Sequence, residues 1–140
     1  MIRSFEVIGE PVAKARPRLS KFGGAYTPTK TKNFEYLVKF AYYDKYEKEE
    51  MIRNTPIELE IHAYFTPTAT ESKSTKKYEQ TLRKNYTKKP DIDNIAKAIL
   101  DALNKLAYDD DKNIISLKIT KSYNNVAKTV VTIKTMEKEN

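Results

Sequence analysis

The chain has no cysteine, which excludes disulfide bridges and thiolate zinc sites. It has a single histidine, His62, so a histidine-based metal centre has no second ring to draw on. No apolar run approaches the roughly 20 residues of a membrane-spanning helix. The N-terminus lacks the apolar core of a signal peptide. The expectation is a soluble, cytoplasmic protein with no membrane partner. Internal repeats are also lacking. Acidic residues are in the minority, 19 Asp and Glu against 26 Lys and Arg, which leaves a net charge of +7. That balance suits a polyanionic partner such as nucleic acid, although solubility alone accounts for charge equally well. The 140 residues are enough for one domain, 1–140, with a sizeable core.

Against that scarcity of acid, residues 88–115, KKPDIDNIAKAILDALNKLAYDDDKNII, hold two tight acidic clusters. Asp91 and Asp93 stand before a helical pattern, and Asp109, Asp110 and Asp111 follow it. Pro90 disfavours the helical region for Lys89, so the chain enters extended, and two aspartates two apart in extended chain point the same way. Asp93 or Asn94 is placed to cap the helix. Ile95, Ala96, Ile99, Leu100, Leu103 and Leu106 form one apolar arc, while Asp93, Lys97, Asp101 and Asn104 share the opposite one. Lys97 thus sits one turn above Asp93 on the carboxylate face. A helix of about a dozen residues spans about 18 Å, so its two ends share a metal only if the following loop and strand bring the chain back. Carboxylate oxygens from one or two residues suit Mg2+, which keeps several waters for a phosphate substrate.

Two plainer explanations compete. Capping and the helix dipole account for one carboxylate at a helix start, but poorly for two, and not for Lys97 or the second cluster. Asp109, Asp111 and Asn113 match the opening of a calcium loop, but Ile114 stands where that loop needs Gly and Thr120 where it needs Glu.

Along the rest of the chain, residues 1–9 alternate well enough for a strand. Residues 10–31, with Pro11, Pro17, Gly23, Gly24 and Pro28, read as a loop or loose hairpin. It carries Lys14, Arg16, Arg18 and Lys21, a candidate clamp on phosphates or an ordinary basic loop. Residues 31–51 read as a helix capped by Thr31, with Phe34, Leu37, Val38, Ala41 and Tyr42 as its buried stripe. Tyr36, Tyr43 and Tyr46 then fall to packing or rim positions rather than base stacking. Residues 57–64 alternate as a half-buried strand with His62 on its polar face, a structural position. The lysine-rich stretch 66–89 holds a short helix from 76 to 83, capped by Ser74 or Thr75. Its Lys76, Lys77, Arg83, Lys88 and Lys89 suit a DNA-gripping element as well as a solvated insertion. Residues 114–123 and 126–134 read as two strands in a hairpin turning at Asn124-Asn125. The order implies an α+β fold, a mixed sheet packed with two main helices.

The pattern Asp91-x-Asp93-Asn94-x-x-Lys97-x-x-x-Asp101-Ala102-Leu103, followed by Tyr108, Asp110 and Asp111, resembles the RusA family of Holliday junction resolvases. So do Lys14, Arg16, Pro17 and Arg18 followed by Tyr26, Thr27, Pro28 and Thr31. The resemblance covers most of the chain. It implies a Mg2+-dependent (or Mn2+-dependent) endodeoxyribonuclease that nicks four-way DNA junctions in symmetric pairs, acting as a homodimer without a small-molecule cofactor. The two-fold symmetry of a junction argues for the dimer as well. The resemblance makes Asp91, Asp93, Lys97 and Asp111 the catalytic set, the three aspartates being metal ligands and Lys97 a stabiliser of charge on the scissile phosphate. Asp110 or Asp109 supports them. The run of three aspartates leaves the register open by one or two positions, and aligning Tyr108 with the family's aromatic selects Asp111. Asp101, about two turns from Asp93, is expected to cap or pair with a basic neighbour. A non-catalytic DNA-binding module and a nuclease of flaps or RNA are the rival classes.

Overall fold

Ile57, Leu59, Ile61, Ala63 and Phe65 alternate with Glu58, Glu60, His62 and Tyr64, and side chains in a strand alternate between two faces. In the computed structural model, which describes residues 1–14, 18–21, 23–26 and 29–136, this run is an inner strand of the main sheet. In chain order the elements are β1 (Ile2–Ile8), β2 (Arg18–Leu19), β3 (Ala25–Tyr26), α1 (Thr29–Tyr46), β4 (Ile57–Phe65), α2 (Thr75–Leu82), α3 (Ile92–Leu103), β5 (Ile114–Tyr123) and β6 (Lys128–Thr135). Short 3-10 turns occupy Thr70–Ser72 and Asp111–Asn113. The α+β class and the mixed sheet are as expected.

The chain divides into two compact units. The first comprises Met1–Pro11, Pro56–Lys89 and Ile114–Asn140. Its sheet has the order β1-β6-β4-β5, antiparallel except for the parallel pair β4 and β5. Register sets Phe5, Val131 and Ile61 in one cross-strand row, and Val7, Thr129 and Ala63 in the next. All six are buried, so one face of the sheet is a continuous apolar layer. That layer fades at the edge strand, where Leu117 is 43% exposed.

The expected hairpin of the last two strands does not form. The β5 and β6 strands lie on opposite sides of β4, and the backbone N–H of Asn124 bonds the carbonyl of Phe65 at the end of β4 instead. Neither Asn124 nor Asn125 has the positive φ of a tight hairpin turn. The reason lies in β4, whose nine residues pair along nearly their whole length on both sides.

The lysine-rich stretch belongs to this unit and is tied to it. Ser74 caps α2, its hydroxyl accepting from the Lys77 N–H at 3.1 Å. Tyr86 stacks on Phe65 with ring centroids 4.0 Å apart and meets Tyr123 edge-on. Glu71 accepts from both the Lys88 ammonium and the Tyr123 hydroxyl at 3.0 Å.

The second unit comprises Val12–Thr55 and Pro90–Asn113, and in it α1 packs on α3. The α1 helix starts at Thr29, so Thr31 is not its cap. Thr31 is buried and its hydroxyl donates to the Ala13 carbonyl at 3.1 Å, which ties the preceding loop to the helix. The helix ends at Tyr46 rather than near residue 51, because DKYEKEE extends no apolar stripe, and packing rather than propensity sustains most helices. Phe34, Val38 and Tyr42 are buried as expected, but Leu37 is 49% exposed.

Candidate active site

The α3 helix is apolar on one side, burying Ile95, Ala96, Ala98, Ile99, Ala102 and Leu103. Its start differs from the expectation. Asp91, with φ −70° and ψ 148°, is the N-cap, so Asp93 lies inside the first turn rather than in extended chain or at the cap. The Asp91 carboxylate makes no capping hydrogen bond. The helix dipole still favours both carboxylates at this end. Asp91, Asp93 and Lys97 are all exposed, and none of the three side chains has a hydrogen bond or ion pair among the described residues. Among the described residues, two acids and a lysine thus stand in the first turns of one helix without a side-chain partner.

The helix closes at Leu103, short of Leu106, with Asn104 as C-cap and Lys105 in the left-handed region at φ 67°. Tyr108 is fully buried, and its hydroxyl donates back to the Leu100 carbonyl at 3.0 Å. Burial, followed by the charges of Asp111 and Asp101, pushes that phenol well above its ordinary range, so it stays a neutral donor. The loop therefore folds against the last turn of α3, the end opposite Asp91 and Asp93.

The three following aspartates have different surroundings. Asp109 is structural: its carboxylate accepts from the Asn54 N–H at 3.3 Å and the Asn113 amide at 2.9 Å, and its own N–H donates to Ile52. Asp110 accepts from the Lys112 N–H at 3.0 Å, a bond that lowers its pKa from the usual value. Asp111 is exposed at the head of a 3-10 turn. Among the described residues no three Asp, Glu, His or Cys side chains gather where they would hold a metal ion. The donor type is right for a hard divalent cation, and such an ion takes one or two carboxylates with water and phosphate oxygens completing its shell.

Asp101 pairs with a basic residue, as expected, and the partner is Lys14 at 3.4 Å. Lys14 also donates to Glu35 at 2.5 Å, and its backbone N–H bonds the Asn94 carbonyl. Glu35 had no signal in the sequence. Arg16, Pro17, Thr27 and Pro28 lie outside the described residues, and only the strand pairing of Arg18 with Tyr26 is described there. Lys21, Lys76, Lys77, Arg83, Lys88 and Lys89 are exposed, Lys88 being held by Glu71. His62 is structural in its surroundings, its Nδ1 2.6 Å from the Thr120 hydroxyl on the neighbouring strand.

The structure thus defines an α+β protein with carboxylates before and after one helix in a basic chain, a combination that suits phosphodiester chemistry. Comparison with known families makes that particular: the family described as Endodeoxyribonuclease RusA matches residues 9–134, and the chain belongs to that family. Membership implies an endodeoxyribonuclease that acts on branched DNA. The chain is also similar to an uncharacterized protein, YqaN, of Bacillus subtilis (strain 168), with 36% identity over 135 residues, 93% of this chain and 94% of the relative. Among the described residues, no helix is long and apolar enough to cross a membrane.

Proposed function

We propose that this protein is a Mg2+-dependent endodeoxyribonuclease that resolves four-way DNA junctions by paired, symmetric nicks and works as a homodimer. The observation that carries the reading is the trio Asp91, Asp93 and Lys97 at the start of α3, without side-chain partners among the described residues, in a chain that matches the RusA family nearly end to end. Asp91, Asp93 and Asp111 would hold the ion, with Asp110 beside them. When bound, a divalent cation lowers the pKa of its water and polarises a phosphoryl oxygen. The protein's own part is electrostatic and positional. Lys97 sets a positive charge one turn from Asp93, where negative charge on the phosphate grows. Lys21, Lys76, Lys77 and the arginines of the N-terminal loop hold the strand by its phosphates, which positions DNA without reading sequence. A dimer presents two such sites with the two-fold symmetry of the junction.

The test compares a labelled four-way junction with linear duplex of the same sequence, in Mg2+ and in EDTA. Paired nicks in the junction alone are expected, lost in EDTA and reduced at least a hundredfold in Asp91→Asn. That variant should bind the junction no worse, since a negative charge near DNA has been removed. Tight binding without cleavage in Mg2+ or Mn2+ would instead identify a binding module, and cutting of flaps or RNA would keep the site and discard the substrate.

A further inference from the structure

The α1 helix leaves a second face open. Tyr36, Phe40 and Tyr43 recur at i, i+4 and i+7, one side of a helix, and are 69%, 60% and 54% exposed. They line a groove of about 400 Å3. Lys39, Asn104, Lys105 and Leu106 complete its lining. The lining contains no carboxylate. Lys105 reaches the groove from the left-handed backbone region, which glycine adopts at less cost.

We propose that this groove receives an unpaired nucleobase of a bound DNA strand. Aromatic faces stack on bases of any sequence, and the volume suits a single nucleotide. Lys39 and Lys105 offer charge to the flanking phosphates. A second copy of the chain fits less well. A two-fold contact sets a patch against itself, so these lysines would face lysines with no acid in the lining to answer them. The inference rests on the DNA-binding half of the proposed function and adds a subsite distinct from the carboxylates, one suited to strands unstacked at a branch point.

The test is fluorescence anisotropy in EDTA with labelled oligothymidylate and with an abasic deoxyribose-phosphate strand of equal length. The full chain should bind the base-bearing strand roughly tenfold more tightly. Phe40→Ala should remove that preference while leaving abasic affinity unchanged, and Phe40→Tyr should keep it. Tyr36→Ala, at an equally exposed position, repeats the test should Phe40→Ala fold poorly. Equal affinity of the wild type for both strands overturns the proposal. So does a Phe40→Ala protein that keeps the preference but changes its mass by light scattering, which would make this face a self-contact. Because metal is absent, loss of junction cleavage leaves this readout untouched: a base preference without cleavage sinks the nuclease reading alone.

Discussion

Lys14 is held by three neighbours at once: Glu35 at 2.5 Å, Asp101 at 3.4 Å and, through its backbone, Asn94. Burial acts to lower its pKa, but the two carboxylates outweigh that and leave it raised. Its charge is therefore answered within the protein, and its main work is to join the N-terminal loop to α1 and α3. Lys14→Ala should destabilise the protein by about 1–2 kcal/mol in urea unfolding, because Glu35, mostly buried, loses its counter-ion. Adding Glu35→Ala should then cost little more, the sign of a coupled pair. If Lys14 instead gripped DNA, the loss would appear in binding and not in stability. The pairing of Asp101 with some base was legible from its place on the α3 arc. The identity of that base was not, since Lys14 meets it only through tertiary folding. The run Asp109-Asp110-Asp111 was ambiguous for the same reason: the roles separate only when Asn54 and Asn113 close on Asp109.

At the level of elements, periodicity revealed which segments form helices and strands, because side chains on a buried face must recur at 3.6 or 2 residues. It did not reveal partners. The β5 and β6 strands look like a hairpin when read locally, yet β4 separates them. The start of α1 also lies two residues before the expected Thr31, whose hydroxyl donates to Ala13 instead of capping the helix. The stretch 66–89 was the least legible, because Glu71, its anchor, is one acid among many lysines. The Thr68 N–H, then Lys88, lower the Glu71 carboxyl to about pH 2 in its titration. A carboxyl lowered on folding stabilises the protein above its unfolded value near 4.5 and loses that contribution as pH falls toward 2. Glu71→Gln should therefore lower stability at pH 7 and flatten the acid limb between about pH 4.5 and 2. Urea unfolding of both proteins at pH 7 and pH 3 measures this, and an unchanged acid limb would show that Glu71 does not anchor the stretch.

For the whole molecule, a charge of +7 says little until it is known which cations are answered internally. Lys14, Lys88 and Lys128 are paired with Glu35, Glu71 and Glu6, so part of their charge is met within the protein. Lys76 and Lys77 are exposed on α2 with no side-chain partner among the described residues. They, with Lys21, Arg83 and Lys89, are among the exposed cations of the described residues that remain for phosphates. Each phosphate neutralised changes the slope of log affinity against log salt by about 0.9 on duplex DNA. Lys76→Ala with Lys77→Ala should flatten that slope by about 1.8 for junction and linear DNA alike, since phosphate contacts carry no shape or sequence information. Asp91→Asn should leave the slope unchanged while stopping cleavage. The two results together would separate holding from cutting: the first tracks the exposed lysines of α2 and the second the acids at the start of α3. A slope unmoved by loss of both lysines would assign the grip to the N-terminal basic loop instead, and Lys21→Ala would then carry the effect.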